Sequence, residues 1–154
     1  MSRKYSAAVS AVNVSTVPQD LFEIKAPASK VIRIHECRIS QDGSAVSSQV
    51  RVRVSKLTAT VTDGSGGTTP AAVQAEDGDS AAAATVKANS TTQATTTGAK
   101  ATWLSDAFNV LSGWLWLPAP EDQLVLSPND AVVVEVLAGA LANADATIVW
   151  EEIG

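Results

Sequence analysis

The chain has 154 residues, about one domain's worth, with 18% charged residues and 45% in the hydrophobic class, too little charge for a disordered chain. A formal charge of −5 and a pI near 4.7 argue against a nucleic-acid binder, which normally shows a basic face. One Cys excludes a disulfide scaffold and one His leaves little for a His-based metal or acid–base site, while 19 Val and 14 Thr favour strands, because a branched Cβ fits a pleated surface better than a helix.

Taken in order, Met1-Ser2-Arg3-Lys4 and the small apolar residues after it have only a faint look of a signal peptide. Polar residues recur every second or third step through Ser15, which suits a strand or an extended arm over residues 1–15. Pro18 marks a turn, since it cannot donate in a ladder. Leu21 to Lys25 alternates, with Phe22 and Ile24 on one face. In Val31 to Ser40, Ile32 and Ile34 share one phase and Cys37 and Ile39 the other, which predicts a β-bulge near His35-Glu36. Gln41-Asp42-Gly43-Ser44 is a turn. The cleanest period-two signal is Gln49 to Ser55, with Val50, Val52 and Val54 on one face and Arg51 and Arg53 on the other. Leu57 to Val61 continues it after a kink, and Thr62 to Pro70 reads as a flexible loop.

Residues 71–102 are Ala-, Thr- and Ser-rich with few large apolar side chains. They read as a long polar surface excursion with one or two short strands, and Ala81 to Ala84 could start a short helix capped by Asp79 or Ser80. Trp114-Leu115-Trp116-Leu117 is apolar on both faces and predicts a strand inside a sandwich with a covered outer face, or at a subunit interface. Ser127-Pro128-Asn129-Asp130 is a tight turn. Ala131 to Leu137 is a Val-rich strand with Val132, Val134 and Val136 inward and Glu135 outward, and Thr147 to Glu152 closes the chain as a strand. Eight or nine short strands with little helix predict an all-β fold, a jelly-roll-like antiparallel β-sandwich of one domain over 16–154 behind the 1–15 segment. The apolar run 107–120 is broken by Gly113, Pro118 and Pro120 and is too short for a membrane helix, which needs roughly 20 residues. Cys37 is expected as a buried apolar residue in a reducing compartment. Residues 1–60 carry a net +5 and residues 61–154 a net −10. Either interleaved strands mix these charges, or the molecule docks in one orientation on a charged partner.

Chemistry is sparse. His35 cannot supply the two or three His of a metal-dependent jelly-roll enzyme. No Gly-x-Ser-x-Gly elbow frames a Ser, which leaves a Ser-His-Asp triad possible only on paper. Glu121-Asp122 and Glu151-Glu152 are adjacent pairs, and neighbours in a strand point to opposite faces, so neither pair converges on one bond. Asp63 to Gly67 has the glycines of a phosphate loop but no Lys-Ser/Thr after them. Asp77-Gly78-Asp79 is thin for Ca²⁺. Trp114 and Trp116, on one side of a strand, are either core or a sugar-stacking platform. No catalytic residue, cofactor or metal ligand is assigned.

The pieces Met1-Ser2-Arg3, Asp20-Leu21-Phe22-Glu23-Ile24, Ile34-His35 with Ile39-Ser40-Gln41, Asn89 to Thr95, Phe108-Asn109-Val110 before Gly113-Trp114, Pro118-x-Pro120-Glu121 and Glu151-Glu152-Ile153-Gly154 together resemble small virion proteins of tailed bacteriophages, of the jelly-roll decoration (cement) type. The resemblance is diffuse and covers most of the chain. It implies a non-enzymatic structural protein on the capsid surface, assembled in the bacterial cytoplasm, that binds the major capsid protein and reinforces contacts between capsid subunits. The acidic charge and the short apolar run give no expectation of a nucleic-acid or membrane partner. A homo-oligomer, dimer or trimer, is expected from the two-sided apolarity at 114–117. Arg3, Lys4, Tyr5, Trp103 and Trp114 are the candidate partner-binding residues, with the 1–15 arm and the 71–102 excursion as contact segments. The alternative is a carbohydrate-binding β-sandwich of a phage tail or fibre, which requires Trp114 and Trp116 to be exposed.

Overall fold

The computed structural model describes residues 1–43 and 46–154; Ser44, which closes the expected 41–44 turn, lies outside them. The strands are β1 (Ser2–Val14), β2 (Gln19–Lys25), β3 (Val31–Gln41), β4 (Gln49–Leu57), β5 (Val61–Thr62), β6 (Val73–Gln74), β7 (Thr85–Ser90), β8 (Thr95–Thr96), β9 (Lys100–Asn109), β10 (Trp114–Trp116), β11 (Val125–Leu126), β12 (Ala131–Ala138) and β13 (Leu141–Ile153). A single 3-10 turn at Pro120–Asp122 is the only helical element among the described residues, and none is long and apolar enough to cross a membrane.

Two antiparallel sheets pack face to face. One runs β10-β3-β13-β1-β6, with β11 also on β3, and the other runs β7-β2-β12-β4-β9. Setting aside β5 to β8 and β11, the chain changes sheet at every step except β4 to β9. The remaining eight strands then interleave as two four-stranded sheets, first strand beside last and second beside second-to-last. That is a jelly-roll-like sandwich, as its alternating sequence predicted. The core between the sheets holds Phe22, Ile24, Ile34, Val52, Val54, Val134, Ile148 and Trp150.

The period-two strand appears as read, with Val50, Val52 and Val54 fully buried. The register of β3 against β13 breaks between Ile34 and Glu36, leaving His35 as the extra residue of a bulge, so that Ile32, Ile34, Cys37 and Ile39 all face the core. The 2–14 segment is the strand alternative rather than a free arm. It lies between β13 and β6 and buries Tyr5, Ala7, Val9 and Val14. Its apolar residues are small but fall on one face, which is all a sheet requires.

The exception at β4 to β9 is a long insertion, residues 58–99, and it departs furthest from its sequence reading. It carries β5 to β8, with Ala81 to Ala84 outside any helix or strand. β6 extends one sheet beyond β1 and β7 extends the other beyond β2, so the insertion closes one flank of the sandwich. It then folds over the outer face of the β2-β12 pair, where Val61 and Ala94 cover Leu57, Ala131 and Val133. The loop at 62–70 is tied down by backbone pairings of Ser65 with Thr92 and of Thr68 with Ala88. Gly67 passes so close to β7 that a Cβ there would lie 2.1 Å from the Ala88 carbonyl oxygen. Gly67→Ala is therefore expected to lift this loop, and proteolysis between residues 62 and 72 should become much faster than in the wild type while the core strands stay protected.

Candidate interaction flank

The flank opposite the insertion is open. There the two sheets end in β9 and β10, consecutive in the chain. Ring stacking of Phe108 on Trp114, with centroids 6.5 Å apart, and a hydrogen bond from the Trp114 indole N–H to Asp106, 3.1 Å, hold the two strands together. Trp103, Leu111, Leu115, Leu117 and Val125 lie on or beside this flank with 50, 58, 59, 65 and 42% of their surface exposed. Other large exposed apolar residues, Met1, Val17, Val46 and Val73, are dispersed. Single exposed apolar residues are ordinary, whereas several on one flank mark a candidate contact surface. Two features explain its shape. Alternation in β10 sends Trp114 and Trp116 inward and Leu115 outward, and Trp103 is the extra residue of a bulge, since Leu104 pairs with Val54 and Thr102 with Ser55.

The candidate residues read from the sequence divide accordingly. Trp103 and Lys4 are exposed. Tyr5 is buried, stacked on Trp150 at 5.8 Å, with its hydroxyl donating to the Ser80 carbonyl, 2.9 Å. Arg3 turns back onto Asp79 and Ser80. Trp114 and Trp116 are buried at 7 and 8% exposure, which removes the stacking platform the sugar-binding alternative needs. Of the two settings expected for the 114–117 strand, the covered outer face is not formed by the described residues of the chain itself, which leave Leu115 exposed. The residues absent from that candidate set are Leu111, Leu115, Leu117 and Val125; the two-sided apolarity at 114–117 was the signal for Leu115 and Leu117, and Leu111 and Val125 had none.

The ionisable groups are engaged elsewhere. Interleaving mixes the two charge halves, as the first of the two readings expected: Arg3–Asp79, Lys25–Asp63, Lys30–Glu152, Arg33–Glu151, Arg53–Glu135 and Lys56–Asp130 each join an early cation to a late acid. Four buried carboxylates hold the insertion. Asp20 accepts from the Ala94 N–H at 2.7 Å and the Gln93 amide at 3.0 Å. Glu23 accepts from the Gly64 N–H at 2.9 Å. Glu152 accepts from the Ala83 and Ala84 N–H groups, both at 2.9 Å. Glu135, expected to point to solvent, is buried beneath the insertion, where it receives Gln93 at 2.7 Å, Arg53 at 2.8 Å, Ser55 at 3.0 Å and Lys100. Burial pushes the Glu135 carboxyl up, but the hydrogen bonds from Arg53, Lys100 and Ser55 outweigh it and hold it below its ordinary value. Asp20 lies above its ordinary value through burial, with the Glu135 charge adding.

His35 sits outside the core. Its Nδ1 faces the Gln123 amide nitrogen at 3.1 Å and its Nε2 faces Glu151 at 3.1 Å, so Nδ1 accepts and Nε2–H donates. Ser2 also donates to Glu151. The carboxylate, not the imidazole, therefore stands beside the hydroxyl, the reverse of the order that activates a serine. The Ser2 hydrogen bond, with His35 and Arg33 nearby, holds Glu151 below its ordinary value. Cys37 is fully buried, and burial raises its thiol, giving an inert apolar residue. Among the described residues no group of three or more His, Cys, Asp or Glu is placed to hold a metal. Fold and surface together define a jelly-roll-like β-sandwich with one closed and one open, apolar flank. Compared with protein-family models, curated proteins and solved structures, the chain matches none.

Proposed function

We propose that this protein is a structural component of a phage virion that binds the outer surface of the capsid and reinforces contacts between major capsid subunits, acting by adhesion and not by catalysis. The observation that supports this most is the apolar set Trp103, Leu111, Leu115, Leu117 and Val125 on the flank where both sheets stop. Such a set suits the dry centre of a protein–protein contact, and the resemblance of the sequence to jelly-roll decoration proteins supplies the partner. A rigid block that binds only the assembled shell stabilises that shell by linkage, and many symmetric copies multiply modest contacts. The contact now rests on the open flank and not on the 1–15 segment, whose apolar face is used in the sandwich.

The test is particle occupancy. Wild-type protein is expected to sediment with purified capsids in stoichiometric amount. Leu115→Asp with Leu117→Asp, both solvent-exposed in the free chain, should leave its thermal unfolding within a few degrees of wild type and reduce occupancy at least ten-fold. Undiminished occupancy of the double variant, or a wild-type chain that stays in the supernatant, would overturn the reading.

A further inference from the structure

Glu23 differs from the other three carboxylates that hold the insertion. It is 1% exposed, its Oε2 accepts one hydrogen bond, from Gly64, and its Oε1 is buried without a partner. The charged groups around it offer little help. On its own strand stand Asp20 and Lys25. Lys25 is committed to the Val61 carbonyl, 2.9 Å, and Asp63, 3.0 Å. On β7 its register partner is Lys87, whose ammonium donates to Thr69 at 3.4 Å. On β12 its register partner is Val133, with Glu135 two residues on. The insertion itself places Asp63 beside it. Two nearby acids, Asp63 and Asp20, and a dry, unpartnered oxygen fit a neutral carboxyl far better than an anion.

We propose that Glu23 makes the 62–68 part of the insertion a pH-gated strap, latched against β2 and β7 while the carboxyl is protonated and released when it ionises. Release lets water reach Oε1 and separates Asp63 from Glu23. The ionised carboxyl would hold the Gly64 N–H more strongly, but one such bond does not offset a buried charge next to Asp20 and Asp63. Burial, with Asp63 and Asp20 adding, places the Glu23 pKa at about 7, so the latch changes state near neutrality. This inference is independent of what the open flank binds.

The sign follows from linkage. The closed strap raises the carboxyl pKa above that of the open strap, so closure is favoured on the acid side and weakens as pH rises toward the closed-state value. Taking an ordinary carboxyl in the open form, the opening constant should rise about thirty-fold between pH 5.5 and 8.5. Hydrogen exchange of peptides spanning 62–68 in the full chain, corrected for intrinsic exchange rate, reads this directly. Wild type should lose protection by that factor while Glu23→Gln stays flat. Equal pH dependence in the two, or protection that rises with pH, overturns the proposal. If Glu23→Gln does not fold, the wild-type carbon NMR titration of the Glu23 carboxyl decides. A midpoint near 7 sustains the latch, and one near 4.5 ends it.

Discussion

Glu135→Ala is expected to cost about 3–5 kcal/mol, the range for breaking a buried ion pair by removing one partner. Four donors converge on this carboxylate, from Arg53 and Ser55 on β4, from Lys100 on β9 and from Gln93 in the insertion. Truncation leaves two cations facing each other across the space it filled, with Ser55 buried and unpartnered. A chain of this size loses roughly 2–4 °C per kcal/mol, so calorimetry should show a midpoint lower by about 10 °C. Glu135→Gln keeps the shape and some of the bonds, and its loss should be about half as large. The two differ in pH dependence as well. Because the carboxyl is held below its ordinary value, its stabilisation is present above the ordinary carboxylate range and disappears as pH falls through the lowered value. Wild type should therefore lose stability faster than Glu135→Gln on acidification below pH 5, the opposite sign to the effect of Glu23. A midpoint for Glu135→Ala within 2 °C of wild type would show that the hub contributes nothing.

The second large effect is Trp150→Ala. Trp150 is fully buried on β13, directly opposite Tyr5 in the β1 register and stacked on it with an interplanar angle of 26°. Removing a fully buried Trp costs about 3–5 kcal/mol in lost transfer energy and cavity formation. Trp150→Phe should cost far less than its volume change suggests, because the Trp150 indole N–H is buried without a hydrogen-bond partner and its removal relieves that cost. Denaturant unfolding of the two variants checks this. Equal losses would mean that the N–H is satisfied and that only volume matters.

Both residues show where sequence reading succeeds and where it stops. The strand that carries Trp150 was legible, as Thr147 to Glu152, but without its buried face. Period two assigns a face whatever the partner strand turns out to be. The same logic recovered Val50, Val52 and Val54, and the break of phase around His35 located a bulge, because only an extra residue keeps Ile34 and Cys37 on one side. Strand content, turn positions and the jelly-roll-like class followed from these local periods.

Glu135 was legible only as pointing away from the main core. Whether such a face meets water is decided by segments remote in the chain, and here by Gly64, Gln93 and Ala94, which lie 41, 42 and 74 residues from the carboxylates they contact. The insertion that supplies them has few large apolar side chains and therefore reads as solvated. It is held by the pairing of β6 and β7 with the two sheets and by backbone N–H groups donated to buried acids, and backbone groups leave no trace in a residue pattern. The open flank has the converse explanation. Trp114-Leu115-Trp116-Leu117 announces two apolar faces, and local pattern cannot say whether a second layer covers both. Only the closed arrangement of the sheets shows that Leu115 and Leu117 are left outside.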